Sequence, residues 1–344
     1  MYKKGTIMGM GNPLLDISSE VGQDMLDKYD VKLDSAILAE EKHLPMHKEL
    51  IEKYSPQFIA GGATQNSIRV AQWMLTNANK ANSTAFMGCV GNDSNGDKLQ
   101  SYAASDGVLA HYLKDTEQST GTYAVLIKDG ERSLIANLGA ANHFKPSHLD
   151  TPLAKSIVHN AKFCYIAGFF LTVSVQSLEQ VAKQFAQDNK VFAMNLSAPF
   201  IIDFFTDQLK TALPCTDFVF CNETEAEAFG NKFEYGTDLK DVALKLSSYS
   251  KINALRKRTV VFAQGSKPTI VACDGVATEY PVELLPKEML VDTNGAGDAF
   301  VGGFLAELAQ DKSAKEAVDA GHWAARHIIQ QSGCTLTDKC TYYS

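Results

Sequence analysis

Near its C-terminus the chain reads Val291-Asp292-Thr293-Asn294-Gly295-Ala296-Gly297-Asp298-Ala299-Phe300, which puts two glycines and a carboxylate side by side. Val301, Phe304, Leu305 and Leu308 come after it at helical spacing, so this run opens a helix. Gly295, Ala296 and Gly297 then stand where first-turn N–H groups lack an intrahelical partner and the helix dipole adds positive charge. Glycine lets an anion come close to the backbone, and a phosphate or a transferring phosphoryl group suits that place. Asp298 in the same turn would repel phosphate unless it takes part in the chemistry, and accepting a proton from an attacking hydroxyl is such a part. An ordinary carboxyl pKa near 4 is no obstacle. In the loose transition state of phosphoryl transfer the alcohol loses its proton late and needs positioning most.

Other readings of the run stand beside this one. Asp298 could cap the helix while the glycines merely turn the chain. A Walker A loop is excluded, because no Lys follows the second glycine. A dinucleotide fingerprint needs a third glycine where Phe300 stands, and it usually comes after the first strand.

Placing such a loop requires a scaffold, and the apolar pattern supplies one. Strand-length runs appear at 5–10, 85–90, 163–167, 191–196, 218–221 and 259–263. Helical patterns appear at 64–75, about 176–187, about 298–310 and 314–331. This β-then-α rhythm predicts a mostly parallel sheet covered by helices on both faces. Residues 16–60 break the rhythm with short strand-like pieces such as 36–38. Residues 120–138 read as a hairpin turning at Lys128-Asp129-Gly130. These two segments are expected to pair into a small sheet over the main domain.

Composition bounds the function. The chain has 344 residues, 45% hydrophobic and net charge −8, enough to bury a core without staples. Arg256-Lys257-Arg258 is the densest basic run, and we read it as a solvated loop, so no nucleic-acid face is expected. Seven cysteines, with no pair spaced as a zinc or redox motif, read as thiols of a reducing cytoplasm. No apolar run approaches the roughly 20 residues of a membrane helix, so no membrane partner is expected.

Three motifs in order carry a family resemblance. DTNGAGDAFVGGF (292–304), Gly61-Gly62-Ala63-Thr64-Gln65-Asn66 and Asn222-Glu223-Thr224-Glu225 resemble the signatures of the ribokinase, or PfkB, carbohydrate and nucleoside kinase family. GMGNPLLDIS (9–18), ATQNSIRVAQWM (63–74), RSLIANL (132–138), CYIAGFFLTVS (164–174), NLSAPF (195–200) and AGHWAA (320–325) are similar to its nucleoside-phosphorylating branch. The likeness runs from about residue 5 to 336.

The resemblance implies a fold, a reaction and a set of site residues. The fold would be a ribokinase-like three-layer α/β/α domain (1–15, 65–117 and 142–344) with a small β-rich lid (16–64 and 118–141). The reaction would move the γ-phosphate of ATP, with Mg²⁺, to the 5′-hydroxyl of adenosine, in a cytoplasmic monomer. Asp298 would be the base, Gly295, Ala296 and Gly297 the anion hole, and Arg132 the lid residue reaching the phosphate. Asp16 would accept hydrogen bonds from both ribose hydroxyls, with Asn12, Gly61, Gly62, Ala63 and Asn66 beside it and Asn294 near the acceptor. Leu14, Leu38, Leu134, Ala136, Leu138, Phe169, Phe170 and Phe200 would form the base slot. Two departures touch that slot: Tyr123 and Ala36 replace a family Cys and Gln. Asn222, Glu225, Gln264, Gly265, Asp292, Thr293, His322 and Ile328 would contact ATP, with Glu225 holding Mg²⁺ through water.

Taken singly, several of these residues have plainer readings. Asp16 could cap a turn, Gly61 and Gly62 could form one, and Asn222 with Glu225 could cap a helix. The competing functions are a sugar kinase of the same family and a nucleoside-binding protein without turnover. Polar groups in place of Leu134, Leu138, Phe169 and Phe200 would mark the first, and intact Asp298 and Arg132 speak against the second.

Overall fold

The computed structural model describes residues 6–33, 35–78, 80, 82–128, 131–336 and 339–343, with the side chains of Ala36 and Glu131 outside the description. The strands are β1 (Ile7–Met10), β2 (Leu14–Glu20), β3 (Ala36–Leu38), β4 (Gln57–Gly61), β5 (Thr84–Gly91), β6 (Leu109–Asp115) and β7 (Thr122–Lys128). Next along the chain are β8 (Glu131–Asn137), β9 (Phe163–Ala167), β10 (Val191–Asn195), β11 (Phe218–Asn222), β12 (Thr259–Gln264), β13 (Lys267–Cys273) and β14 (Val276–Tyr280).

Nine strands form one sheet in the order β14-β13-β12-β11-β10-β9-β1-β5-β6. All its pairs are parallel except β12–β13 and β13–β14. The antiparallel edge does not show in the sequence pattern, because β14 has little buried apolar surface to announce it. Alternate residues of the central strands feed two cores. Ile7, Phe163 and Tyr165 join one with Ile68, Val301 and Phe304, while Met8, Cys164 and Ile166 join the other with Ile157, Val181 and Val242. Helices Ala63–Asn77, Ala296–Leu308 and Ala314–Ile328 thus cover one face, and Pro152–Asn160, Val175–Gln187 and Leu239–Ser247 the other. Burial on both faces explains why β5 reads as one unbroken apolar run.

The second sheet has five strands in the order β3-β8-β7-β2-β4. It begins at Leu14, slightly before the expected boundary at 16. Helices Gln23–Lys28 and Leu44–Lys53 cover one of its faces, where Leu15, Ile17, Leu126 and Ile135 meet Met25, Leu26, Met46 and Leu50. Those helices lie in a segment whose sequence reads as strand pieces alone. Pairing registers align Ile59, Asp16, Tyr123, Ala136 and Leu38 in a single row across the sheet. Side chains of paired residues share a face, and here it is the face opposite the two helices. The hairpin turn at Asp129-Gly130 and the start of the first strand at Gly5 lie outside the described residues.

In the basic run at 256–258, Lys257 is solvated as expected and Arg258 is a correction. Arg258 is 1% exposed, and its guanidinium donates to the carbonyls of Leu213, Thr216, Leu246, Tyr249 and Ser250. Five carbonyls at element ends need donors away from water, and one guanidinium supplies them.

Candidate active site

The helix Ala296–Leu308 starts as the glycines demand. Gly295 is its N-cap at φ +79°, the left-handed region that glycine enters freely. Gly297 faces open space, where a Cβ would meet nothing. The Ala296 N–H donates to the Thr293 carbonyl at 3.2 Å, so that amide is already engaged, contrary to expectation. Among the described residues, the N–H groups of Gly295, Gly297 and Asp298 find no protein acceptor. Three amides, those of Gly295, Gly297 and Asp298, thus stay open at this helix start, with Ala296 closing the turn that presents them.

Asp298 lies at the wall of a cavity of about 190 Å³, shared with Gly295, Gly297, Tyr165, Asn195, Asn222 and Glu225. Its carboxylate accepts from the Asn66 amide at 3.0 Å. Loss of hydration pushes the Asp298 pKa up to about 7, and the Asn66 bond pulls back against that. A carboxyl poised near neutrality beside free amides can take a proton from an alcohol while the amides receive an anion. The capping reading of Asp298 does not survive, since its side chain bonds Asn66 on another helix.

The lid sheet faces this point. Asp16 in the β2 row is pushed up to about 7, first by burial, with Arg69 lowering it and Asp298 and Asp292 raising it. Gly61 leaves room for that carboxylate, because a Cβ there would collide with the Asp16 oxygens. Gly62 sits at φ +97°, and a Cβ on it would collide with the Asn12 carbonyl, so no other residue fits easily. Asn12 Oδ1 and Asn66 Oδ1 are buried without a partner, which a ligand hydroxyl would satisfy. Ala63 lines the cavity at the start of the next helix.

Arg132, on the same face as Leu134 and Ala136, reaches across to the main domain. It pairs with Asp292 at 2.8 Å and donates to the Ser332 hydroxyl at 3.1 Å. Asp292 also accepts from the N–H groups of Asn294 and Gly333 at 2.9 Å each. Asp292 is thus a partner of Arg132 and a loop organiser, and it is not open to ATP as expected. Thr293 and Asn294 are exposed beside it.

The apolar slot is partly as expected. Phe169 and Phe200 are exposed, with ring centroids 6.1 Å apart, and Leu14, Leu134 and Leu138 are half-buried on the bare lid face. Tyr123 stands beside Asp16 in the row, and burial followed by that neighbour raises its pKa. Leu38 is 66% exposed at the rim. Phe170 is a correction: it is 1% exposed and packs edge-on to Phe144 in the core. In a 3-10 turn, successive side chains cannot both face the cleft.

Toward the ATP side, Asn222 and Glu225 form a capping box, with the Asn222 N–H donating to Glu225 at 3.0 Å and the Glu225 N–H to Asn222 at 2.9 Å. Both also line the cavity, so capping and ligand readings coexist. Burial pushes Glu225 up to about 7. The Gln264 amide is engaged by the Pro268 carbonyl, and Gly265 turns the chain at φ +58°. His322 bonds Thr269 at 2.8 Å and leans on Phe300. Ile328 is fully buried below Gly295, so it supports the loop and does not reach a ligand.

A family model described as pfkB family carbohydrate kinase matches residues 23–340. The chain belongs to the pfkB carbohydrate kinase family. It is 52% identical over 336 residues to Adenosine kinase 1 of Arabidopsis thaliana, covering 97% of each chain. It superposes on Anopheles gambiae adenosine kinase in complex with P1,P4-di(adenosine-5) tetraphosphate with TM-score 0.89 at 47% identity, over 99% of this chain and 100% of that one. Adenosine kinase from Schistosoma mansoni in complex with adenosine and AMP gives TM-score 0.87 at 32% identity, over 99% and 100%.

Within this pfkB-family kinase, sequence reading missed several residues at the site. Tyr165 is fully buried on the cavity wall, its hydroxyl near Ser67 and Asn195 but in hydrogen-bond geometry with neither. Ser332 and Cys334 come from a C-terminal loop with no motif of its own, Cys334 packing against Gly295. Arg69 sits mid-helix, where an arginine ordinarily reads as a solvated charge, yet it is 5% exposed. No periodicity marks any of them, since each is defined by what the fold brings near.

Proposed function

We infer that this chain transfers the γ-phosphate of MgATP to the 5′-hydroxyl of adenosine, giving AMP and ADP. The observation that carries this is the Asp298 carboxyl beside the unpartnered Gly297 amide, faced by the row containing Asp16. Asp298 takes the proton of the 5′-hydroxyl as it attacks. The Gly295, Gly297 and Asp298 amides receive charge on the transferring group. Asp16 accepts from the ribose diol, and the apolar lid face with Phe169 and Phe200 takes the base. Kinship with adenosine kinases at 52% and 47% identity supports the same acceptor.

Among the described residues no three His, Cys, Asp or Glu side chains cluster as a metal cage. Glu225 with Asn195 and Asn222 on the cavity wall suits a hydrated Mg²⁺, which keeps most of its waters and leans on substrate phosphates. The ion would supply neutralisation of phosphate charge. Glu225 would hold its waters and fix its distance from Asp298. Seven unpaired thiols suit a reducing cytoplasm, where we place the enzyme as a monomer.

The test is ADP release at fixed MgATP with adenosine, guanosine, ribose and fructose as acceptors. Turnover with adenosine above the others is expected. Good turnover of ribose with none of adenosine would overturn the reading.

A further inference from the structure

Arg69 is a buried cation outside the motifs, in the helix Ala63–Asn77 one turn after Asn66. Its Nε donates to Asp106 Oδ2 at 2.6 Å. One terminal nitrogen donates to the Ala60 carbonyl at 2.6 Å and to the Cys334 carbonyl at 3.1 Å. Ala60 belongs to lid strand β4 and directly precedes Gly61 and Gly62, which make room for Asp16 and Asn12. Cys334 packs against Gly295 at the anion hole. A guanidinium thus joins the lid, the main domain and the loop under the phosphate site.

We propose that Arg69 is a positioning residue for ribose recognition, tying the backbone before Gly61–Gly62 to the main domain and holding a buried cation behind the Asp16 carboxyl that Gly61 accommodates. The proposal rests on the reading of Asp16 as the ribose acceptor. A carboxylate must be ionised to accept from both hydroxyls. Burial first, then Asp298 from the helix Ala296–Leu308 and Asp292 from the loop before it, oppose ionisation of Asp16, while the Tyr123 phenol across the sheet stays neutral because burial and Asp16 raise its pKa. Arg69 is what acts against burial and the two carboxylates. The Cys334 thiol beside Arg69 stays neutral, because burial pushes it up to about 12. Asp106 neutralises part of the Arg69 charge, so the pair sets a graded field at Asp16.

Equilibrium binding of adenosine and of 2′,3′-dideoxyadenosine across pH 5–9 tests this, because binding is read apart from the Asp298-dependent step. Wild type should bind adenosine more tightly as pH rises through about 7, the ionisation of Asp16. Arg69→Gln keeps donors and removes the charge; it should move that inflection upward by roughly one unit or more and shrink the preference for adenosine over the dideoxy analogue. Arg69→Lys should restore the inflection but not the full affinity. Asp106→Asn, which frees the Arg69 charge, should move the inflection downward, so one variant's failure to fold leaves the other to decide. In an Asp16→Asn background Arg69→Gln should no longer alter the preference. Folded variants with the wild-type inflection and preference would overturn the role of Arg69. A wild type that binds both nucleosides equally at all pH values would instead remove Asp16 as ribose acceptor.

Discussion

The two sheets solve opposite problems. The nine-stranded sheet is buried on both faces, so it can offer chemistry only at the ends of its strands, where loops and helix starts converge. Asp298, Gly297, Asn222 and Glu225 all sit there. The five-stranded sheet is covered on one face and bare on the other, so it offers a whole row of side chains. The first gathers open backbone amides and the Asp298 and Glu225 carboxyls around one cavity at the strand ends. The second lays out a surface that can read a sugar and a base. Rate should therefore depend on the strand-end residues and acceptor preference on the lid face.

Asp298→Asn should break the first half most severely. Turnover should fall roughly 10²–10⁴-fold with adenosine binding retained, as single-turnover and binding measurements would show. Near-normal turnover would remove Asp298 as base. The same change should stabilise the fold. The folded pKa of Asp298 lies near 7, above its unfolded value, so its proton is held more tightly when folded. Stability from this group is complete below pH 4 and is lost as pH rises to about 7. Asp298→Asn should therefore gain about 1–3 kcal/mol at pH 8 and nothing at pH 3.5, by denaturant titration.

Arg132→Ala tests whether the lid contributes to rate as well as to recognition. If Arg132 leaves Asp292 to meet the transferring phosphoryl group, kcat should fall roughly 10²-fold or more with little change in the KM for adenosine. An unchanged kcat would leave Arg132 as a tie to Asp292 alone. Gly61→Ala pushes a Cβ into the Asp16 carboxylate and should raise the KM for adenosine about 10–100-fold while sparing kcat. A loss confined to kcat would blur the division between the two sheets. Activity at low adenosine should climb with pH and level off above about 7, as Asp16 and Asp298 both ionise. At the rim, Leu38→Ser should change acceptor preference by about twofold or less, because the side chain is mostly exposed.

The glycine–carboxylate run, the alternation of strands and helices and the lid hairpin are all legible in the chain. Each is local: a helix start needs a few adjacent residues, and burial on two faces prints an apolar run that needs no partner to be seen. The site is legible where motifs carry it and misleading where packing decides. Phe170 and Ile328 look like ligand contacts in sequence and prove to be core. Arg258 reads as a solvated charge and is the most occupied donor in its neighbourhood. Ala296 reads as one more free amide, but its turn bond to Thr293 depends on the loop's path.

By itself the chain determined which backbone would greet an anion and which carboxyl would stand beside it, because adjacent residues share one helical turn. Tertiary structure alone decided which charges share a burial site. Asp16 and Asp298 are far apart in sequence, Arg69 and Asp292 act on Asp16 from separate elements, and Arg132 reaches Asp292 from another. Electrostatic fields act through space and grow as water is excluded, so they belong to the folded arrangement and leave no mark on the order of residues.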